Sequence, residues 1–214
     1  MNQYIAVGIF GLLSGLLAAL ADIPLVQPGK ESEQIPTRKP QSWWAEVPDR
    51  RFTRSFWLSF LGQPGTYLTM WMLAVLIGEN NPGLGLALKV NTFIGCYTGL
   101  LCHVVYCMKP LIYQGIYKKL IEAEISEALG GIDKVSGVPM ILGFLSLWLR
   151  TTVIVIAAIL RRDLNVPMWS LLLNPIPSTV VLLILKKCKV KIIGTLGVGF
   201  MMFAILLIIA GLQV

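Results

Sequence analysis

Six runs of about twenty apolar residues, at roughly 4–26, 55–77, 85–108, 138–160, 166–185 and 192–212, constrain this chain more than anything else in it. In hydrocarbon every backbone amide and carbonyl must be satisfied inside the chain, so a run of this length means a helix. Between them the runs leave little polar surface. With 56% of residues hydrophobic and 14% charged, a soluble domain is excluded. The expectation is all-α: one domain over residues 1–214, a polytopic membrane bundle of six transmembrane helices.

The first run ends in "ALAD", which reads locally as a small-x-small cleavage site. Met1-Asn2-Gln3-Tyr4 carry no lysine or arginine, whereas a signal peptide needs a basic n-region, so the run is read as a retained span.

Basic residues set the orientation. Lys30, Arg38, Lys39, Arg50, Arg51 and Arg54 lie in or beside loop 27–54. Lys109, Lys118, Lys119 and Lys134 lie in loop 109–137, and Lys186, Lys187, Lys189 and Lys191 in loop 186–191. The opposite side has only Lys89, Arg161 and Arg162. The positive-inside rule then places those three loops in the cytoplasm and both termini outside, for a multi-pass membrane protein. The net charge of +7 belongs mostly to these loops and to anionic lipid headgroups as partners. Nucleic acid is not an expected partner, because the bases are scattered among acids and no recognition motif accompanies them.

Two connectors carry their own pattern. In "QSWWAEVPDRRFTRSFW", Trp43 and Trp44 suit the headgroup level and Arg50, Arg51 and Arg54 suit lipid phosphates, which predicts a short interfacial helix or re-entrant turn. Segment 111–130 has helical periodicity with charges on one face and reads as a surface helix, or a continuation of the third span beyond Pro110. Gly62, Pro64 and Gly65 in the second span, and Pro175 and Pro177 in the fifth, predict interrupted helices.

Polar residues inside the spans are the candidate site. At about 1.5 Å per residue, Asp22 and His103 come about one turn inside the cytoplasmic boundary, Gln63 about two turns, and Arg150 and Asn174 near mid-membrane. Asp22 shares a helical face with Gly8, Gly11, Gly15 and Ala18; His103 with Thr92, Cys96, Gly99 and Cys107. Arg150 shares one with Pro139, Gly143, Ser146 and Ala157, and Asn174 one with Pro167, Ser170, Pro177 and Ser178. Small stripes of this kind pack against other helices, so all of these residues are expected to point inward. Structural glue between helices is the competing reading, above all for Gln63 and Asn174.

Much chemistry is excluded. One histidine cannot make a three-His centre, and Asp22, His103 and Cys107 alone are a poor metal set, so no metal is expected. There is no Walker lysine loop and no G-x-S-x-G elbow, no cofactor is expected, and no nucleophilic serine is evident beside His103. What remains is acid–base chemistry or proton-coupled binding by Asp22 and His103, with Arg150, Gln63, Tyr67 and Asn174 holding an anionic amphiphile or lipid. A proton-coupled carrier and a non-catalytic scaffold are the alternatives. Cys96, Cys102, Cys107 and Cys188 read as free thiols. Glycine-rich "GTLGVG", Gly194 to Gly199, is a packing face for a second copy (a homodimer) or for the same chain.

"ALAD" closing the first span, "AEVPDRR" before the second, a histidine in the third and "PMWSLLLNP" in the fifth resemble an uncharacterised bacterial family of six-span integral membrane proteins. The resemblance covers nearly the whole chain and implies no established activity, so no catalytic residue is carried over from it. More distantly the arrangement is similar to membrane hydrolases and sterol-isomerase-like proteins; the single histidine departs from the multi-His hydrolase pattern.

Overall fold

A computed structural model describes residues 2–26, 42–45, 47–116, 122–187 and 194–214. Among them there are helices and no strands. In chain order these are α1 (Gln3–Val26), a 3-10 turn (Ser42–Ala45), α2 (Arg50–Asn80), α3 (Pro82–Ile116) and α4 (Glu122–Phe144). A π-helical turn (Leu145–Arg150) leads into α5 (Thr151–Leu160), followed by a second 3-10 turn (Met168–Leu172), α6 (Pro175–Lys187) and α7 (Thr195–Gly211). Four helical stretches are long and apolar enough to cross a membrane: Gln3–Leu25, Arg50–Asn80, Pro82–Ile116 and Glu127–Leu160.

α1 is packed between α2 and α7, α2 against α3, and α3 against α4; α6 packs on α7. Glycine makes the contacts around α1 close. A Cβ on Gly62 would sit 2.7 Å from the Ser14 carbonyl oxygen, and one on Gly15 would sit 3.0 Å from the Gly197 carbonyl oxygen. Backbone-level contact of this kind brings the helices close enough for dispersion to hold them together. The inward stripe Gly8, Gly11 and Gly15 is buried as its spacing predicts.

Each end of the bundle has its own cluster. At the end bearing both termini, Tyr4, Leu73, Ile77, Leu88, Ile159, Phe203 and Leu207 form a buried apolar core. Asn2 Nδ2 donates to the Gly211 carbonyl at 2.9 Å, which ties the two chain ends together on that side. At the opposite, basic end, Trp43, Trp44, Phe52, Tyr113, Ile125 and Leu129 form a second cluster.

Several expected boundaries change. Pro64 does not interrupt the second span: α2 runs through it, with Thr66 Oγ donating to the Gly62 carbonyl and Thr69 Oγ to the Gly65 carbonyl. Gly62 and Gly65 serve the approach of α1 rather than a break. Segment 111–130 is not a separate surface helix: 111–116 extend α3 through Pro110, 122–130 open α4, and 117–121 lie outside the described residues. The fifth span is interrupted, as Pro175 and Pro177 predict. Its first part is the 3-10 turn Met168–Leu172, and α6, 13 residues long, starts only at Pro175. α7, at 17 residues, and α6 are both shorter than the about 20 residues a membrane crossing takes.

The tryptophans depart furthest from expectation. Trp43 and Trp44 are 5% and 7% exposed, so they are core and not headgroup anchors. Trp44 meets Tyr113 edge to face at 5.7 Å between ring centroids, and Trp43 packs on Phe52 at 6.3 Å. Arg51 turns inward with them: its guanidinium lies 5.2 Å from the Trp43 ring centroid, and its Nε donates to the Pro24 carbonyl at 2.7 Å. Gln114 Nε2 holds the connector down by donating to the carbonyls of Trp44 and Val47. Most of loop 27–54, with Lys30, Arg38 and Lys39, lies outside the described residues, as do Lys118, Lys119, Cys188, Lys189 and Lys191.

Candidate functional site

Three helices meet at the basic end around one imidazole. α3 supplies His103 and, one turn on, Cys107; α2 supplies Ser55 from its second turn; α1 supplies Asp22 near its end. His103 Nδ1 faces Asp22 Oδ1 at 3.9 Å. His103 Nε2 lies 3.2 Å from Ser55 Oγ and 3.3 Å from the Ser55 carbonyl oxygen. Ser55 Oγ in turn donates to the Ala21 carbonyl at 2.6 Å, and Cys107 Sγ donates to Ser55 Oγ at 3.6 Å. Ser55 is wholly buried, whereas the side chains of His103 and Asp22 keep 15% and 30% of their exposure. The acid is therefore the least buried member of the cluster.

A fourth helix closes on the acid. Gly194 N donates to the Ala19 carbonyl at 3.0 Å, and a Cβ at 194 would lie 2.6 Å from Asp22 Cγ. Only glycine fits there, and it sets the carboxyl beside the N-terminus of α7, where the helix dipole favours negative charge. "GTLGVG" thus packs within the chain: Gly197 closes on Ala19 and Gly199 on Pro175.

The other sequence candidates are placed differently. Gln63 Nε2 donates to the Cys96 carbonyl at 3.0 Å, joining α2 to α3. Tyr67 is half-buried and stacks on Trp71 with centroids 5.7 Å apart. Asn174 caps α6: its Oδ1 accepts from Ile176 N at 2.9 Å and its Nδ2 donates to the Leu171 carbonyl. Arg150 does not share the inward face of Gly143 and Ser146; both of those are buried, and Arg150 is exposed.

The π turn explains this. One extra residue per turn rotates position 150 off the inner face and puts Thr151, fully buried, in its place. Thr151 N bonds to the Ser146 carbonyl, and Asn91 Nδ2 reaches from α3 to that carbonyl and to Thr151 Oγ1, each at 2.7 Å. No hydrogen bond or ion pair joins Arg150 to Asp22 among the described residues.

Of the six candidates, then, the structure brings together Asp22 and His103 and spreads the other four over the bundle. Sequence reasoning missed Ser55. Its signal was present: Ser55, Gly62, Thr66 and Thr69 form a small, polar stripe along α2, all buried. Among the described residues no group of three or more His, Cys, Asp or Glu side chains is placed to hold a metal ion.

Fold and site define an all-helical protein with membrane-length helices and an acid–imidazole pair at one end of the bundle. Over its whole length, residues 1–214, the chain belongs to a family of unknown function, DUF6796. No curated protein and no solved structure matches it.

Proposed function

We propose that this is an integral protein of the bacterial cytoplasmic membrane whose Asp22–His103 pair exchanges protons with a small amphiphile arriving from the cytoplasmic side. In this reading the basic end of the bundle is cytoplasmic, both termini are outside, and residues 166–185 and 192–212 complete six crossings together with neighbouring helices and lipid. The observation that carries it is the partly exposed Asp22 carboxyl facing His103 Nδ1 at 3.9 Å, where three helices meet. A carboxyl and an imidazole at that spacing pass a proton through a small closure or one bridging oxygen, which is the minimum equipment of general acid–base catalysis.

Arg150 argues that the amphiphile is anionic. It lies eleven residues, or about 16 Å, before Arg161 along a continuous helix, exposed at mid-depth. A guanidinium at that depth calls for an anion. A proton-coupled carrier is the second reading, favoured by the break at 173–174, where a 3-10 turn gives way to α6 inside the fifth apolar run.

Native mass spectrometry of the gently solubilised protein, with lipid extraction, tests both. Wild type retains an anionic amphiphile; Arg150→Gln loses it, and Asp22→Asn retains it but no longer converts it. If all three carry the same unselective lipids, the ligand reading fails and the scaffold reading replaces it. Flux that follows a pH gradient in proteoliposomes, with no product formed, selects the carrier.

A further inference from the structure

We propose that Ser55 is a positioning residue that fixes the tautomer of His103, holding the ring proton on Nε2 so that Nδ1 is the nitrogen that faces Asp22 and exchanges a proton with it. The inference rests on the acid–base reading of that pair and adds a residue and a protonation state to it.

The argument is an inventory of donors. A serine hydroxyl has one proton and two lone pairs. Ser55 Oγ is 2.6 Å from the Ala21 carbonyl oxygen, which can only accept, so the hydroxyl proton is used there. The Oγ lone pairs then take donors: the Cys107 thiol at 3.6 Å is one, and His103 Nε2 at 3.2 Å is the other. Nε2 has a second neighbour, the Ser55 carbonyl oxygen at 3.3 Å, again an acceptor only. A bare Nε2 would face two oxygens with no proton between them. Both contacts require Nε2–H.

With Nε2 occupied, the remaining freedom is at Nδ1. Either Asp22 is the neutral acid opposite a bare Nδ1, or Asp22 is a carboxylate opposite Nδ1–H of an imidazolium. The pair holds one proton and no net charge in both forms, which is the inexpensive condition for two ionisable groups in a low-dielectric site. Moving that proton to or from a substrate atom beside Asp22 is then a single transfer. The same inventory separates Ser55 from a nucleophile. A nucleophilic serine hydrogen-bonds through its hydroxyl proton to the base, whereas Ser55 directs that proton to a backbone carbonyl and is fully buried.

The chain has a single histidine, so 15N-histidine labelling of the full chain in lipid nanodiscs reports one ring alone. Wild type is expected to show a protonated Nε2 and an Nδ1 that is bare or proton-sharing. Ser55→Ala, which removes the Oγ acceptor but keeps the residue-55 carbonyl, is expected to weaken the single-tautomer signature, Ser55→Thr to restore it, and Cys107→Ala, which removes a donor to Oγ but no partner of the ring, to leave it unchanged. A wild-type ring with Nδ1–H and a bare Nε2 overturns the proposal and makes Ser55 a hydroxyl donor to the base. Unchanged nitrogens in Ser55→Ala overturn it as well. The wild-type spectrum decides even where Ser55→Ala does not fold. Asp22→Asn separates this proposal from the reading beneath it. An Nδ1 signal indifferent to that substitution, with Nε2–H retained, leaves the Ser55 assignment standing and removes the shared proton.

Discussion

The two ends of the bundle use polar residues in opposite ways. At the termini end the polar groups lie around the apolar core and close the chain on itself. Asn2 reaches Gly211, the Tyr4 hydroxyl donates to Glu79 at 3.4 Å, and Asn80 and Asn81, at the α2–α3 turn, donate to Asp163 in the loop after α5. At the basic end they sit between the helices themselves: Asp22, Ser55, His103 and Cys107, with the Lys109–Asp133 ion pair latching α3 to α4. Polar groups at a helix end are served by water and capping, whereas groups between helices must find partners from other helices. The first end closes the chain on itself. The second holds the acid–imidazole pair for which proton exchange is proposed.

Substitutions can break that comparison. The largest stability loss is expected from Phe203→Ala, which empties a fully buried site in the termini-end core and costs about 3–5 kcal/mol. Unfolding of the purified protein by heat or SDS measures it, with captured ligand unchanged per folded molecule. Gly62→Val comes next: the added side chain meets the Ser14 carbonyl, and overpacking costs about 1–3 kcal/mol, read in the same assay. Asn91→Ala leaves the Ser146 carbonyl and Thr151 hydroxyl without their α3 donor; interhelical hydrogen bonds in membranes put this at about 1 kcal/mol. The smallest stability change is expected from Asp22→Asn, within about 1 kcal/mol, because a similar-sized amide replaces a partly exposed acid. Its functional effect is expected to be complete. Equal loss of stability from Asp22→Asn and Phe203→Ala would erase the distinction between the two ends. Arg150→Leu sharpens it from the other side: removing an exposed guanidinium from an apolar helix is expected to raise stability and, on the proposed reading, to abolish anion capture, two readouts that move in opposite directions.

How much of this was legible follows from the kind of signal. Apolar runs and the stripe Gly8, Gly11, Gly15 report one helix at a time, and α1 appears as its sequence predicts, Gln3–Val26 against 4–26. Prolines misled in one of the two spans where they were read as breaks. Pro64 lies inside a continuous helix, whereas the interruption expected from Pro175 and Pro177 is present and falls at Asn174, whose side chain caps α6. Trp43 and Trp44 read as interface residues by composition, because no local pattern announces that Phe52, Tyr113, Ile125 and Leu129 converge on them from three helices.

The sequence by itself determined the all-helical class and the membrane-length apolar helices, because each depends on hydrophobicity counted along one segment. Tertiary structure alone decided which polar residues meet. Ser55 joins His103 because α2 and α3 cross there, and Arg150 leaves the interior because a π turn, supported by Asn91 from α3, shifts the helical phase by one residue. Both depend on a neighbouring helix, and no period within a single segment encodes its neighbour.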